Sequence, residues 1–430
     1  MSNLGRIVLV LICLVQLPKI LAQNNTNSPY SRFGIGELSR AGYDKSRAMG
    51  KLGLALRDNN QLNMLNPASY TALDTLSFMF DFGLNGRLSV YETRDLSHLS
   101  YNINIDHISI GFPFTRWWKS SIGIMPYSSV GYNIKEEDFI KNSGAVDYLY
   151  AGNGGLNKFY LGTAMEFFHR LSLGVNFSYI FGALDIEKKV DFPLNPEYSS
   201  IIVENRTMVN GFIYNFGLQY QETFAGDFTF TLGCIFDNER SIGAEKTVTI
   251  RNIFPGNTAK INDSIVLNPA FVLEQDISKG NILIPSNLGG GFSFRYKDKL
   301  LLGLDYYKQD WTGSSAPGEL DVYAKSSSYH AGVEVTPDNK TLREYWKRMH
   351  YRLGGYYENS YLQFRGHQLN DSGISFGLGL PFKGDKTSFN LACNIGNRGT
   401  LDNNLIHEKY LFLSFSITLH DFWFYKRKYE

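Results

Sequence analysis

Apolar and polar residues alternate along most of this chain. In TLSFMFDFGLN, Leu76, Phe78, Phe80, Phe82 and Leu84 share one phase, with Ser77, Asp81 and Gly83 between them. In RLSLGVNFSYIF, Leu171, Leu173, Val175, Phe177, Tyr179 and Phe181 do the same, separated by Ser172, Gly174, Asn176 and Ser178. The pattern recurs at Phe159–Phe167, Phe212–Tyr220, Phe228–Phe236, Leu288–Tyr296, Leu300–Tyr306, Tyr329–Val335, Tyr351–Tyr357, Ile374–Leu380 and Phe389–Ile395. A period of two means strands with two chemically different faces. Between Leu99 and Phe112 the phase slips near Asp106, as a bulge would produce. With Ile122–Tyr132 and the final run Leu411–Leu419, the pattern predicts about fourteen strands.

The connections separate a membrane barrel from a soluble sandwich. They alternate short and long. PFTRWWK, the residues around His169, FAG, KDK, TPDNKTLREYWKR and PFKGDK are short. The stretches near 85–98, 133–156, 184–209, 238–286, 313–325, 361–372 and 398–408 read as long loops. Short turns at one rim, long loops at the other and an even strand number are the layout of outer-membrane barrels, and closure leaves no sheet edge facing lipid. The fold class is therefore all-β: a closed antiparallel transmembrane β-barrel. Leu411, Leu413, Phe415, Ile417 and Leu419 are expected to face acyl chains. Phe422, Trp423, Phe424 and Tyr425, with Trp117 and Trp118 in a short turn, are expected in one interfacial girdle. The composition agrees, with 31 Phe, 27 Tyr and 41 Gly.

The ends read differently. Arg6 followed by the apolar run Ile7–Leu17, with Ala22 before the cleavage point, reads as a signal peptide over 1–22, so the mature chain is expected to be exported. Cys13 follows Ile12 rather than a small residue, which argues against lipidation. Residues 23–74 are polar and glycine-rich and show no alternation. Yet they carry Tyr30, Phe33, Leu52, Leu54, Leu62 and Leu65 as apolar anchors. They are expected to fold as a plug, or hatch, inside a barrel of residues 75–420, with 421–430 as a periplasmic aromatic and basic tail. The formal net charge of +1 offers nothing to nucleic acid.

Candidate chemistry is sparse. GISFG around Ser375 has the spacing of a nucleophile elbow but lies mid-strand, where small lumen-facing residues explain it. FGIG at Phe33–Gly36 and GGG at Gly289–Gly291 lack the spacing and the helix of a phosphate loop. The eight His residues form no close pair with ligand spacing, so no metal or other cofactor is expected, and no enzyme activity. Cys234 and Cys393 fall on the apolar phase of strands, where a small side chain explains both. Pro126 is the exception. It lies within the third strand, flanked by Gly123 and Gly131. A proline donates nothing to a ladder, so it marks either a gap in the wall or a bulge near the rim.

NPAS at Asn66–Ser69, just before the first strand, the polar segment ahead of it, and IPSNLGGGFSFRYKDKLLLGLDYYKQDW (Ile284–Trp311) together resemble the long-chain fatty acid transporter (FadL) family. The ending WFYKRKYE resembles outer-membrane proteins of the Bacteroidetes. The resemblance implies passive uptake of hydrophobic small molecules, fatty-acid-like or aromatic, across the Gram-negative outer membrane. It assigns Asn66, Pro67 and Ala68 to the plug and Gly123, Pro126 and Gly131 to a lateral gate in the third strand. Phe254, Phe271 and Val272 in the long fourth loop are candidates for first capture, beside the simpler reading of a self-packed hairpin. The expected partners are outer-membrane lipid and a hydrophobic ligand. A second reading makes the barrel a partner of a secretion-system protein or of surface attachment.

Overall fold

A computed structural model describes residues 25–422, apart from 41, 76, 142–143, 196, 254–257, 262–263, 268–269, 315–322, 340, 342, 365 and 383–385. The expected signal peptide, Phe254 and the aromatic residues Trp423–Tyr425 lie outside the described residues.

The alternating segments form strands. After a two-residue strand β1 (Glu37–Leu38), the first passes are β2 (Ser77–Glu92) and β3 (Ser97–Pro113). The third is interrupted into β4 (Trp118–Ser129) and β5 (Tyr132–Ile140). Next come β6 (Gly144–Phe167), β7 (Leu171–Asp191) and β8 (Ser200–Phe224). The seventh pass is β9 (Phe228–Asp237) with β10 (Arg240–Ile253), and β11 (Thr258–Ile261) with β12 (Ser264–Leu267) make a small hairpin beyond it. The eighth is β13 (Ala270–Ile284) with β14 (Asn287–Tyr296). The wall is completed by β15 (Leu300–Asp310), β16 (Lys325–Val335), β17 (His350–Phe364), β18 (His367–Pro381), β19 (Ser388–Arg398) and β20 (His407–Phe422). These are fourteen antiparallel passes, and the last closes on the first from Ser77↔Phe422 to Glu92↔His407.

The two faces divide as the pattern predicts. On β20, Leu413 and Leu419 face outward, while Ser414, Ser416, Thr418 and His420 are buried. Phe177, Phe216, Leu232, Leu304, Leu353, Phe376 and Ile395 continue the exposed apolar belt around the barrel. Lipid is the solvent such a surface needs. The bulge is also where the phase slip puts it: Gly83 pairs with His107 and Leu84 with Ile105, so Asp106 is the extra residue.

One expectation fails. Stretches read as long loops at 133–156, 184–209 and 238–286 are largely strand: β7 pairs with β8 from Leu171↔Tyr220 to Val190↔Ile201, and β10 pairs with β13 along its whole length. Strands of this length exceed the roughly 9–11 residues that cross a bilayer. They continue past it as a projecting sheet. Outside the membrane a strand no longer needs one oily face, so the period of two fades while the ladder persists.

The described residues of 25–74 pack against strands from several parts of the ring. The helix α1 (Asp44–Ala48) packs against β17, β18, β19 and β20, and a 3₁₀ turn, Pro67–Ala72, packs against β4, β6, β7 and β8. Hydrogen bonds fix the segment between these points. Gly53 N and Leu54 N donate to Asp305 Oδ2 at 2.6 and 2.9 Å, Gly50 N to Ser375 Oγ at 2.7 Å, and Arg295 Nη2 to Arg57 O at 2.8 Å. Glycines on the inner faces make the space: a methyl at Gly217 would collide with Asn66 and Pro67, and one at Gly354 with Met49 and Gly50.

Candidate lateral site

The wall has a fork. Strands β3 and β4 pair from Pro113↔Lys119 only as far as Ile108↔Ile124. Beyond that point β3 keeps its ladder with β2 and β4 keeps its ladder with β6, but the two strands no longer pair with each other. Pro126 sits two residues past the last pair, and the β4–β6 register shifts immediately after it, between Pro126 and Ser128. Near Pro126 the β3–β4 ladder thus ends and the β4–β6 register shifts. Gly123 lies inside the last paired stretch, and Gly131 lies between β4 and β5.

The N-terminal segment occupies the fork. Strand β1 takes β3's place beside β4, with Glu37↔Ser129 and Leu38↔Ser128, and Ser39 N donates to Tyr127 O at 2.9 Å. Across the fork, Asn25 O accepts from Asn102 Nδ2 at 2.5 Å and Asn104 Nδ2 at 2.7 Å, and Asn27 Nδ2 donates to Tyr101 O at 3.2 Å. Ser31 Oγ exchanges hydrogen bonds with both Gly131 N and Gly131 O. The exposed edges of β3 and β4 are thus capped by residues 25–39, which a sheet edge in a membrane requires.

Charge holds this segment in place. Glu37 Oε1 lies 2.6 Å from Arg87 Nη1 and 2.5 Å from Arg398 Nη1. Arg87 also reaches Glu408 at 2.8 Å, and Arg398 reaches Asp371 at 2.9 Å. Burial alone would raise the Glu37 carboxyl, but Arg398 and Arg87 outweigh it and hold it well below the usual carboxylate range. Deeper in, Lys45 Nζ bridges Asp58 at 2.6 Å and Glu334 at 3.0 Å. Burial opposes ionisation of Asp58 too, and Lys45 with Arg295 brings it down to about 2. Asp44 behaves oppositely: buried, with neither oxygen hydrogen-bonded, it is pushed up to about 6.

Two cavities meet at this segment. One, of about 310 Å³, opens among Tyr127, Tyr214, Ile235, Tyr307 and Trp311, with Lys158 and Asp237 on its wall. The other, of about 170 Å³, lies at the fork and is lined by Asn102, Asn104, Asp106, Met125 and Pro126. Residues 37–40 line both and, with Glu358, Asp371 and Arg398 of the wall, form the partition. Both cavities have mixed walls, with apolar surface interleaved with polar and charged groups.

The expected site residues separate into three groups. Asn66, Pro67 and Ala68 form a buried turn: Asn66 Oδ1 accepts from Ala68 N at 3.1 Å, and its Nδ2 donates to Leu54 O at 2.7 Å. Gly123, Pro126 and Gly131 flank the fork. Phe271 and Val272 are on β13, 48% and 57% exposed, and line neither cavity. Sequence reasoning missed Glu37, Leu38, Asn102, Asn104 and Lys158. For the asparagines a signal existed: in YNINIDH, Asn102, Asn104 and Asp106 share one phase, with larger polar groups than the Ser and Gly usual on inner faces. Ser375, satisfied by Gly50 N inside β18, has no nucleophile geometry, and no His, Cys, Asp and Glu group of metal-binding form exists among the described residues.

Solved structures share this architecture. The Pseudomonas putida toluene transporter TodX superimposes with a TM-score of 0.62 at 14% identity, covering 90% of this chain and 99% of that one. The Ralstonia pickettii toluene transporter TbuX gives 0.59 at 14% identity, covering 88% and 98%. A Pseudomonas aeruginosa FadL homologue gives 0.57 at 10% identity, covering 90% and 99%. At such identities the likeness establishes a FadL-like fold. No protein of curated description matches the chain in sequence. The BamG family model matches residues 4–430, nearly the whole length, and the chain belongs to the BamG family.

Proposed function

We propose that this barrel is an outer-membrane passage for small hydrophobic or amphipathic molecules. A molecule enters from the loop rim, rests in the 310 Å³ chamber, and leaves sideways between β3 and β4 when residues 25–40 shift. The observation that carries this reading is the partition: one short segment both separates the two cavities and caps the fork. The fold neighbours named as toluene transporters support it. Energetics favour a sideways exit. Each buried methylene resists transfer to water by about 0.8 kcal/mol, and transfer into lipid avoids that cost. In this scheme Asn66, Pro67 and Ala68 anchor a hatch that stays in place, while β1 is the movable part.

A disulfide tests the scheme. Leu38 and Ser128 are paired neighbours, so Leu38→Cys with Ser128→Cys, in a chain with Cys234 and Cys393 changed to Ser, has the spacing to cross-link. Oxidised barrels in liposomes should lose most uptake of a small aromatic such as toluene, and reduction should restore it. Undiminished flux with the cross-link complete would remove β1 from the path.

A second reading, a barrel that partners a protein in secretion or surface attachment, is favoured by β13. Every residue from Ala270 to Asn281 is exposed, and among the described residues β13 pairs only with β10 along this stretch. A long uncovered edge is a template for another strand. Site-specific photo-crosslinking from position 278 in whole cells tests it: one discrete adduct supports the reading, and none removes it.

A further inference from the structure

The outer wall of the barrel carries a hollow of about 740 Å³ across β9 and β14–β17, on the face turned away from the lumen. Two neighbouring rows of outward positions shape it. In the row nearer the long loops, Cys234 lies beside Gly290, Gly290 beside Tyr306, Tyr306 beside Tyr329 and Tyr329 beside Tyr357. In the row below, Phe292, Leu304, Ala331 and Gly355 follow one another in the same way. The rings and leucines stand out as walls, and Gly290 and Gly355 leave the floor open. A methyl added at Gly290 meets nothing within 4 Å, and one at Gly355 meets only Gly373 O at 3.6 Å. An unfilled hollow costs its lining the contacts that close packing supplies. Water does not replace them, because it needs roughly two to four polar partners and these outward side chains are nearly all apolar.

Position and charge say what fills it. The walls belong to the exposed apolar belt, whose solvent is acyl chain. The short turn 297–299 fixes one end of β15 at the rim of short turns, so the strand rises from Leu300 toward the long loops. Tyr306 and Tyr329, with ring centroids 5.0 Å apart, lie high on this path, as amphipathic rings do at an interface. Lys308 comes next on the same outward face of β15 as Leu302, Leu304 and Tyr306. Among the described residues it has no hydrogen bond and no ion pair. The next outward residue, Asp310, is held by Lys325 at 3.2 Å. An exposed ammonium above a row of tyrosines and an apolar hollow complements an acidic headgroup that carries acyl chains. We propose that this hollow holds one acyl chain of an acidic lipid of the outer leaflet, with the phosphate of that lipid at Lys308 Nζ. The site is on the outer wall, apart from both lumen cavities, and stands independently of the transport reading.

The test uses the full mature chain in dodecylmaltoside micelles and two lipids with the same chains, dimyristoylphosphatidylglycerol and dimyristoylphosphatidylcholine, supplied in equal amounts. Native mass spectrometry counts the lipids retained on the barrel. The native chain should keep one molecule of the acidic lipid at least fivefold more often than the zwitterionic one. Gly290→Leu with Gly355→Leu fills the floor from the lipid side and should remove that retained molecule. Lys308→Gln should bring the two lipids to within twofold of each other, and Lys308→Arg should keep the preference. Equal retention of both lipids by the native chain overturns the proposal. So does a preference that survives in Lys308→Gln, or one that survives in the filled variant. If the filled variant does not fold, the native chain and Lys308→Gln still decide.

Discussion

Arg47 Nη2 lies 2.6 Å from Asp106 Oδ1, joining the helix α1 of the N-terminal segment to the residue bulged out of β3 beside the fork. The same bulge holds His107, whose Nδ1 is 2.7 Å from Asp106 Oδ2 and whose Nε2 is 2.6 Å from Asp81 Oδ1. Tyr43, next to the helix, stacks on that imidazole at 3.8 Å. The N-terminal segment and the point where the β3–β4 ladder ends are therefore tied by a buried charge pair. Asp106→Asn should leave Arg47 buried and uncompensated, and weaken docking of α1 by about 3–5 kcal/mol. Hydrogen exchange of the α1 amides reads this directly, and unchanged protection would falsify the coupling.

Asp44 predicts a pH dependence of the same helix. Its ordinary value is 3.8, and burial raises it to about 6 in the folded chain. The folded state therefore holds the proton more tightly than the unfolded one. The favourable contribution is complete below the ordinary value and is lost as pH rises from there to about 6. Above that the charged carboxylate costs up to about 3 kcal/mol, since each tenfold difference in proton affinity between the folded and unfolded chain is worth about 1.4 kcal/mol. Asp44→Asn should raise the urea midpoint for α1 exposure at pH 7.5 and leave it nearly unchanged at pH 3.5. The same gain at both pH values would mean the benefit is not electrostatic.

Gly354 tests how the segment is seated. A methyl there would strike the Met49 and Gly50 backbone, which cannot step aside as a side chain can. Gly354→Ala should cost about 1–3 kcal/mol of docking. The result would be faster tryptic cleavage at Arg47 and Lys51 in a barrel that still shows heat-modifiable mobility. Gly290→Ala is the control, since nothing lies within 4 Å of its added methyl. Equal cleavage of the two variants would place the contact elsewhere.

Pro126 bears on the fork itself. Pro126→Ala restores a backbone donor two residues past the last β3–β4 pair. Longer pairing should narrow the opening and reduce uptake of toluene into liposomes by half or more. Unchanged uptake would remove Pro126 from the mechanism and leave the divergence of β3 as the cause of the gap.

Much of the fold is legible in the chain. The phase of Leu413 against Ser414, repeated on strand after strand, specifies which face meets lipid, and the slip at Asp106 marks the bulge to the residue. The candidate site is legible only in outline. Pro126 and NPAS mark its neighbourhood. Nothing in the one-dimensional pattern brings Glu37 to Arg398, 361 positions away. Nor does it give Lys45 its two partners, Asp58 and Glu334. The projecting sheet was illegible for a different reason: beyond the bilayer its strands carry no face that must be apolar.

What the amino-acid order determined by itself is the wall: strand number, the outward and inward faces, the bulge and the proline. Each of these follows from alternation over neighbouring residues, and lipid enforces that alternation at every pass. What only the tertiary structure decided is the interior. The segment that caps the fork and the partners that neutralise its buried charges depend on which strands close next to which. Contacts between residues hundreds of positions apart leave no period in the chain.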